Sequence, residues 1–224
     1  METGRFLTNR ANALWSLGRY SEAKPLFDEL GLIVAKPEGG RVASWYFLSS
    51  ARMALSERKF EEAVNQGEAA MKAETLSTLT EQALIGLAQT LSGKSEGRAK
   101  CQKAVEMINE TTDPLLAAEA KSSLAFALLQ NGDASAALRF ALEAQQSFAR
   151  LGNPDAEWPA LLTAARARRH DNDLAQARDY ASQADKILAS LQQRWGNENY
   201  QSYLARPDVQ FQRNQLNELL AQKP

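Results

Sequence analysis

Few residues in this chain have the types and spacing that chemistry would need. Gly93-Lys94-Ser95 matches the end of a phosphate-binding loop, where backbone amides wrap the phosphate and a lysine meets its charge. That loop also needs a glycine five residues earlier and a preceding strand. Ala88 occupies the first place and a helical pattern the second, so the triplet reads as an interhelical turn. The single histidine, His170, and the single cysteine, Cys101, are too few for a His/Cys metal set. They fall two repeat units apart, which rules out a thiolate–imidazole pair. Glu61 and Glu62 are adjacent and diverge around a helix, so they do not form the facing carboxylates of a glycosidase. These patterns predict a protein that is not an enzyme and has no cofactor or metal site.

Two clusters suit recognition better than catalysis. Arg166, Arg168, Arg169 and His170 form the densest basic run. It reads as a solvated helix end favoured by the C-terminal dipole, or as a docking site for an acidic peptide or phosphate. Arg168 stands in a column whose other members are Leu14, Ala54, Ala88 and Leu128, so the column predicts a carboxylate partner from the C-terminal segment, Asp208 or Glu198. The four tryptophans, Trp15, Trp45, Trp158 and Trp195, are either core fillers or interface anchors. Trp15 and Trp45 lie off the small-residue face, where partial exposure is expected.

What must position these groups is written in a periodicity of small residues. Ala11, Ala51, Ala125 and Ala165 each precede a second small residue by twelve positions: Ala23, Ala63, Ala137 and Ala177. Seven positions further come Leu30, Ala70, Ala144 and Ala184. Ile85, Gly97 and Ala104 fill the gap, so successive units are spaced by 40, 34, 40 and 40 residues. A fixed period in this range predicts stacked helical hairpins.

Each unit reads as helix, tight turn, helix. Gly18 breaks the first helix and Ser21 is the expected cap of the second. Pro37-Glu38-Gly39-Gly40 closes the unit, and the second unit turns at Glu57-Arg58-Lys59. Thr78-Leu79-Thr80-Glu81 has the form of a capping box, and Gly93 ends the helix that follows. Asp113-Pro114 and Asn153-Pro154 open the fourth and fifth units, each an N-cap followed by proline in the first turn. Their turns fall at Asn131-Gly132-Asp133 and Asp171-Asn172-Asp173. After Gly196 a final segment restarts at Arg206-Pro207-Asp208, and its polar run from Gln210 to Gln222 suggests a terminal cap.

The turn segments Leu17-Gly18-Arg19-Tyr20-Ser21-Glu22-Ala23, Glu57-Arg58-Lys59-Phe60-Glu61-Glu62-Ala63, Asn131-Gly132-Asp133-Ala134-Ser135-Ala136-Ala137 and Asn172-Asp173-Leu174-Ala175-Gln176-Ala177 resemble the tetratricopeptide repeat family. The resemblance covers about residues 5 to 190. The spacing is mostly 40 rather than the family's commoner 34, similar to the longer repeats of bacterial signalling ATPases, transcription activators and cell-polarity adaptors. It implies an all-α solenoid of about five hairpins over residues 1–192, with units near 4–36, 41–74, 78–110, 114–150 and 154–192, and capping helices over 193–224. It also implies a concave groove lined by the first helices. Carried onto this chain, the groove residues are Asn9, Asn12, Trp45, Arg52, Gln82, Gln89, Ser122, Phe126, Arg166 and Arg169. The lysine and asparagine clamp of the chaperone-tail binders is matched at Asn12 but broken at Thr8, Arg52, Leu79 and Ala83.

Composition agrees with this class. Ala and Leu favour helix, and no alternating Val/Ile/Thr-rich run marks a strand. The 224 residues carry 26 basic and 27 acidic side chains, which argues against a nucleic-acid partner. No apolar run is long enough to span a membrane, and Met-Glu-Thr-Gly-Arg-Phe lacks the regions of a signal peptide. With one cysteine, a reducing, cytoplasmic setting is expected. The expected function is a non-enzymatic scaffold or sensor that binds a peptide or helix, within a larger bacterial regulatory protein. Homo-oligomerisation and small-molecule sensing are the alternatives.

Overall fold

A computed structural model describes residues 2–35, 40–73 and 79–221. The described residues are helical, without strands: α1 (Glu2–Ser16), α2 (Tyr20–Val34), α3 (Gly40–Ser56), α4 (Phe60–Ala73), α5 (Leu79–Leu91), α6 (Glu96–Glu106), α7 (Pro114–Gln130), α8 (Ala134–Leu151), α9 (Pro154–His170), α10 (Leu174–Leu204) and α11 (Pro207–Ala221). Neighbouring helices pack in sequence order, and α1, α3, α5, α7 and α9 each also touch the next odd-numbered helix. Helices α1, α3, α5, α7 and α9 therefore form one row, and each even helix packs against the two odd helices that flank it in sequence. Among the described residues no helix is long and apolar enough to cross a membrane.

The small residues explain why the helices lie close. On the even helices the triplets Ala23/Phe27/Leu30, Ala63/Gly67/Ala70, Gly97/Cys101/Ala104, Ala137/Ala141/Ala144 and Ala177/Ala181/Ala184 are all buried. Positions i, i+4 and i+7 make a single stripe, and short side chains on it let helix axes approach. Ile85 breaks the alanine column of the first helices, and Gly67 compensates: a Cβ there would lie 2.6 Å from Ile85 Cγ1. In the third hairpin the approach reaches backbone. A Cβ on Gly86 would lie 2.8 Å from Gly97 O, and one on Gly97 would lie 2.6 Å from Gly86 O.

The five turns share a geometry. Gly18, Arg58, Gly93, Gly132 and Asn172 all have positive φ, between 58° and 82°. Arg58, at φ 62°, holds a conformation its glycine counterparts adopt freely. Asp113, Asp133 and Asp173 cap α7, α8 and α10, accepting from the backbone amides of Leu115, Ala136 and Gln176. Ser21 does not cap α2, because that helix starts one residue earlier, behind Arg19, whose guanidinium meets Glu22 at 2.7 Å. Thr78 and the segment Pro37-Glu38-Gly39 lie outside the described residues, so the predicted capping box and first-unit terminator do too.

The C-terminal segment does more than cap. α10 is broken at Gly196 (φ 77°, ψ 165°), and α11 turns back onto α9 and reaches α3. Val209, Leu216 and Leu219 of α11 are buried with Trp158, Leu161, Leu188, Leu191 and Tyr203 in one core. Within it the Trp158 indole N–H donates to the Tyr203 hydroxyl at 2.8 Å.

Beyond that core the α10–α11 segment meets the turn that follows α1. Arg206 Nη1 donates to Ser16 O at 2.7 Å, and the Ser202 carbonyl lies directly against Gly18, where a Cβ would collide with it. Arg206 is held by Asp208 through Nε–Oδ1 and Nη2–Oδ2 contacts of 3.1 and 2.6 Å. Burial works against the Arg206 charge, but the Asp208 carboxylate outweighs it and the guanidinium pKa ends above its ordinary value.

Candidate binding groove

The inner layer of odd helices carries a chain of adjoining hollows. At its N-terminal end, Asn9, Asn12, Trp45 and Arg52, with Arg5, Thr8, Leu48 and Ser49, line a cavity of about 320 Å³. It is open and polar; Trp45 is 37% exposed. The Thr8 hydroxyl donates to Gly4 O at 2.8 Å, and the two asparagine amides stand beside the Arg5 guanidinium and the Trp45 indole on that face.

Arg52 also borders the next hollow, of about 310 Å³, and there meets Glu119 of α7 at 2.9 Å. This ion pair joins α3 to α7 where the two hollows meet. Leu84, Leu87, Leu116, Phe148, Ala156 and Pro159 make the hollow apolar. It shares Leu55, Leu87, Ser122, Ser123 and Pro159 with a third, more enclosed chamber of about 150 Å³.

That chamber is where the face is closed. Phe126 and Arg166 line it from α7 and α9, and α11 covers it with Asp208, Phe211, Gln212 and Gln215. The guanidinium of Arg58 stacks 3.8 Å from the Phe211 ring and 5.1 Å from Phe60. Arg166 lies 5.5 Å from the Phe126 ring centroid. Burial, and then the neighbouring Arg169 charge, lower the Arg166 pKa below the usual guanidinium value.

The remaining expected groove residues fall elsewhere. Gln82 is buried in the helix layer, and Gln89 is half-buried; the side-chain oxygens of both have no hydrogen-bond partner. Neither they nor Arg169 line the hollows described here. Trp15 belongs to the core of the first hairpin: its indole N–H donates to Ser56 Oγ at 2.9 Å and its ring lies against Tyr20 and Phe27. Asp208 does not serve Arg168, because Arg206 holds both of its oxygens. The Arg168 Nε is buried without a hydrogen-bond partner. Cys101 is fully buried, and desolvation pushes its thiol up to about 12, leaving it no thiolate for chemistry near neutral pH.

Reading the sequence alone missed Arg58, Phe211, Gln212 and Gln215, and named Asp208 only as a candidate partner for Arg168. Their signal was present in the spacing of Val209, Leu216 and Leu219, an apolar stripe inside a run that otherwise reads as polar. No protein-family model and no curated protein matches this chain.

Proposed function

We propose that the chain is a tetratricopeptide-like superhelical binding module, non-enzymatic, that takes an amphipathic helix on its concave face. The observation that carries this reading is α11 itself. A helix presenting Val209, Leu216 and Leu219 at the i, i+7, i+10 positions of one stripe already lies against the inner layer, packed on α9 and reaching α3. α11 acts as a resident occupant, and partner helices of similar pattern compete with it. The latch of Arg206 on Ser16 O sets how readily it yields. Placement within a larger regulatory protein rests on the family resemblance alone.

The test uses a biotinylated peptide of residues 206–221 offered to the intact chain and to Gly18→Ala, which loosens the latch. Gly18→Ala should capture the peptide several-fold better than the parent, and neither should capture a scrambled version. Absence of capture by a Gly18→Ala protein of native helicity would reject the reading. A concentration-dependent mass in sedimentation would instead favour self-association, with α11 exchanged between copies.

A further inference from the structure

The closed half of the inner face holds an imbalance of charge that its own residues leave uncorrected. Two carboxylates border the adjoining chambers, and both are taken: Asp208 by Arg206 at 2.6 Å, and Glu119 by Arg52 at 2.9 Å. Arg166 is left half-buried, with the face of Phe126 and the like charge of Arg169 as its surroundings and no ion pair among the described residues. A guanidinium withdrawn from water without a carboxylate costs stability, and a fold that keeps one there has a use for it. Around it the walls are mainly apolar, from Leu55 and Leu87 to Leu162 and Phe211, with the hydroxyl-bearing residues Ser122 and Ser123 between the two hollows. The chamber of about 150 Å³ is smaller than a small-molecule site by itself, but it adjoins the hollow of about 310 Å³, which stands at the lower end of such sites, ~300–1,000 Å³.

We propose that these chambers form a binding site for a small amphiphilic monocarboxylate, with its carboxylate on Arg166 and its apolar body along Leu87, Pro159 and Phe148. The planar fork of arginine matches a carboxylate in two parallel hydrogen bonds. A phosphate dianion fits less well, since the second guanidinium in the wall, Arg58, lies over the Phe60 and Phe211 rings and Asp208 stands in the same wall. A neutral apolar molecule would fill the space and leave the cation uncompensated. Because α11 roofs the chamber, the ligand binds the closed arrangement and stabilises it.

Calorimetric titration of the full chain with decanoate, decanol, decanamide and inorganic phosphate tests this. Decanoate should bind saturably at one site, with decanol and decanamide roughly ten-fold weaker or more, and phosphate alone undetectable. Arg166→Met should weaken decanoate by roughly ten- to hundred-fold, while Arg169→Met on the same helix leaves it within a few-fold of the parent. The ligand-free melting temperature of Arg166→Met adds an independent readout. It should equal or exceed that of the parent, because the substitution removes a half-buried charge that has no carboxylate partner. A marked fall would make Arg166 a structural residue and overturn the proposal. Equal binding of decanol, unchanged binding by Arg166→Met, or no saturable binding of decanoate would each overturn it as well. These titrations do not depend on peptide capture, so the two readings fail separately.

Discussion

The two halves of the inner face are built from the same positions of the same repeating pattern, yet one is an open polar hollow and the other a closed apolar chamber. Around Trp45 the first helices present amides and arginines, and no helix among the described residues lines the hollow from above. Around Phe126 and Arg166 equivalent helices are roofed by α11. The repeats supply a surface, and the segment that does not repeat decides what that surface is for. Closure at one end also places charge where the repeat would not tolerate it, since Arg166 is half-buried only because the face above it is covered.

The strongest way to break this contrast is to remove the roof's anchor. Leu216→Ala empties a fully buried site and should cost about 2–5 kcal/mol in urea denaturation. Leu48→Ala in the open half should cost about 1 kcal/mol, because that side chain is only half-buried. Comparable losses at the two positions would mean that α11 contributes no more than any surface helix.

Glycines at equivalent turns give a finer test. Gly132→Ala meets nothing within 4 Å and pays only for its φ of 82°, about 1 kcal/mol. Gly18→Ala has a similar φ but drives a methyl group into the Ser202 carbonyl, and should cost roughly 3 kcal/mol. Equal costs by thermal or chemical denaturation would show that the latch adds nothing.

The boundary between the halves should matter least for stability. Arg52→Ala breaks a largely solvent-exposed pair with Glu119 and should change stability by about 0.2–1 kcal/mol. Its effect should appear instead as faster quenching of Phe126-side probes by solutes entering from the open half. Cys101, deep in the third hairpin, is a control for integrity. With its thiol pushed up to about 12, the thiolate fraction grows only as pH climbs toward that value. Iodoacetamide at pH 8 should therefore leave the folded protein unlabelled, and rapid labelling of any variant would report loosening of that hairpin.

The small-residue stripes were legible in the sequence because they depend on local geometry. Positions 23, 63, 97, 137 and 177, and those four and seven further on, need only the helical repeat to fall on one face, and every one is buried. Gly97 reads as an exception in its column until the facing Gly86 is known; together they let two backbones touch. The return of α11 was not legible. It depends on rotations accumulated over all five hairpins, which no single window of sequence contains. Its three buried apolar residues are outnumbered by polar neighbours, so the segment reads as a solvated end. The expected partner of Arg168 failed for the same reason. Of the two candidates, Asp208 and Glu198, Asp208 instead holds the neighbouring Arg206, which is engaged with the Ser16 carbonyl.

The contact between Gly18 and Ser202 changes how the molecule should come apart. In a linear row of repeats each unit is stabilised by its neighbours, and the first and last, with one neighbour each, fray before the middle. Here the turn of the first hairpin is also held by the α10–α11 segment, so the first hairpin has a second point of support. Amide exchange in α1 and α2 should then be nearly as slow as in α7 and α8, and Gly18→Ala should restore a gradient of protection falling toward the N-terminus. The same joint spans 190 residues of chain between Ser16 and Arg206, so it forms only after the hairpins between them are in place. Folding should end with the turn after α1 meeting the α10–α11 segment, and that joint should be the first to part.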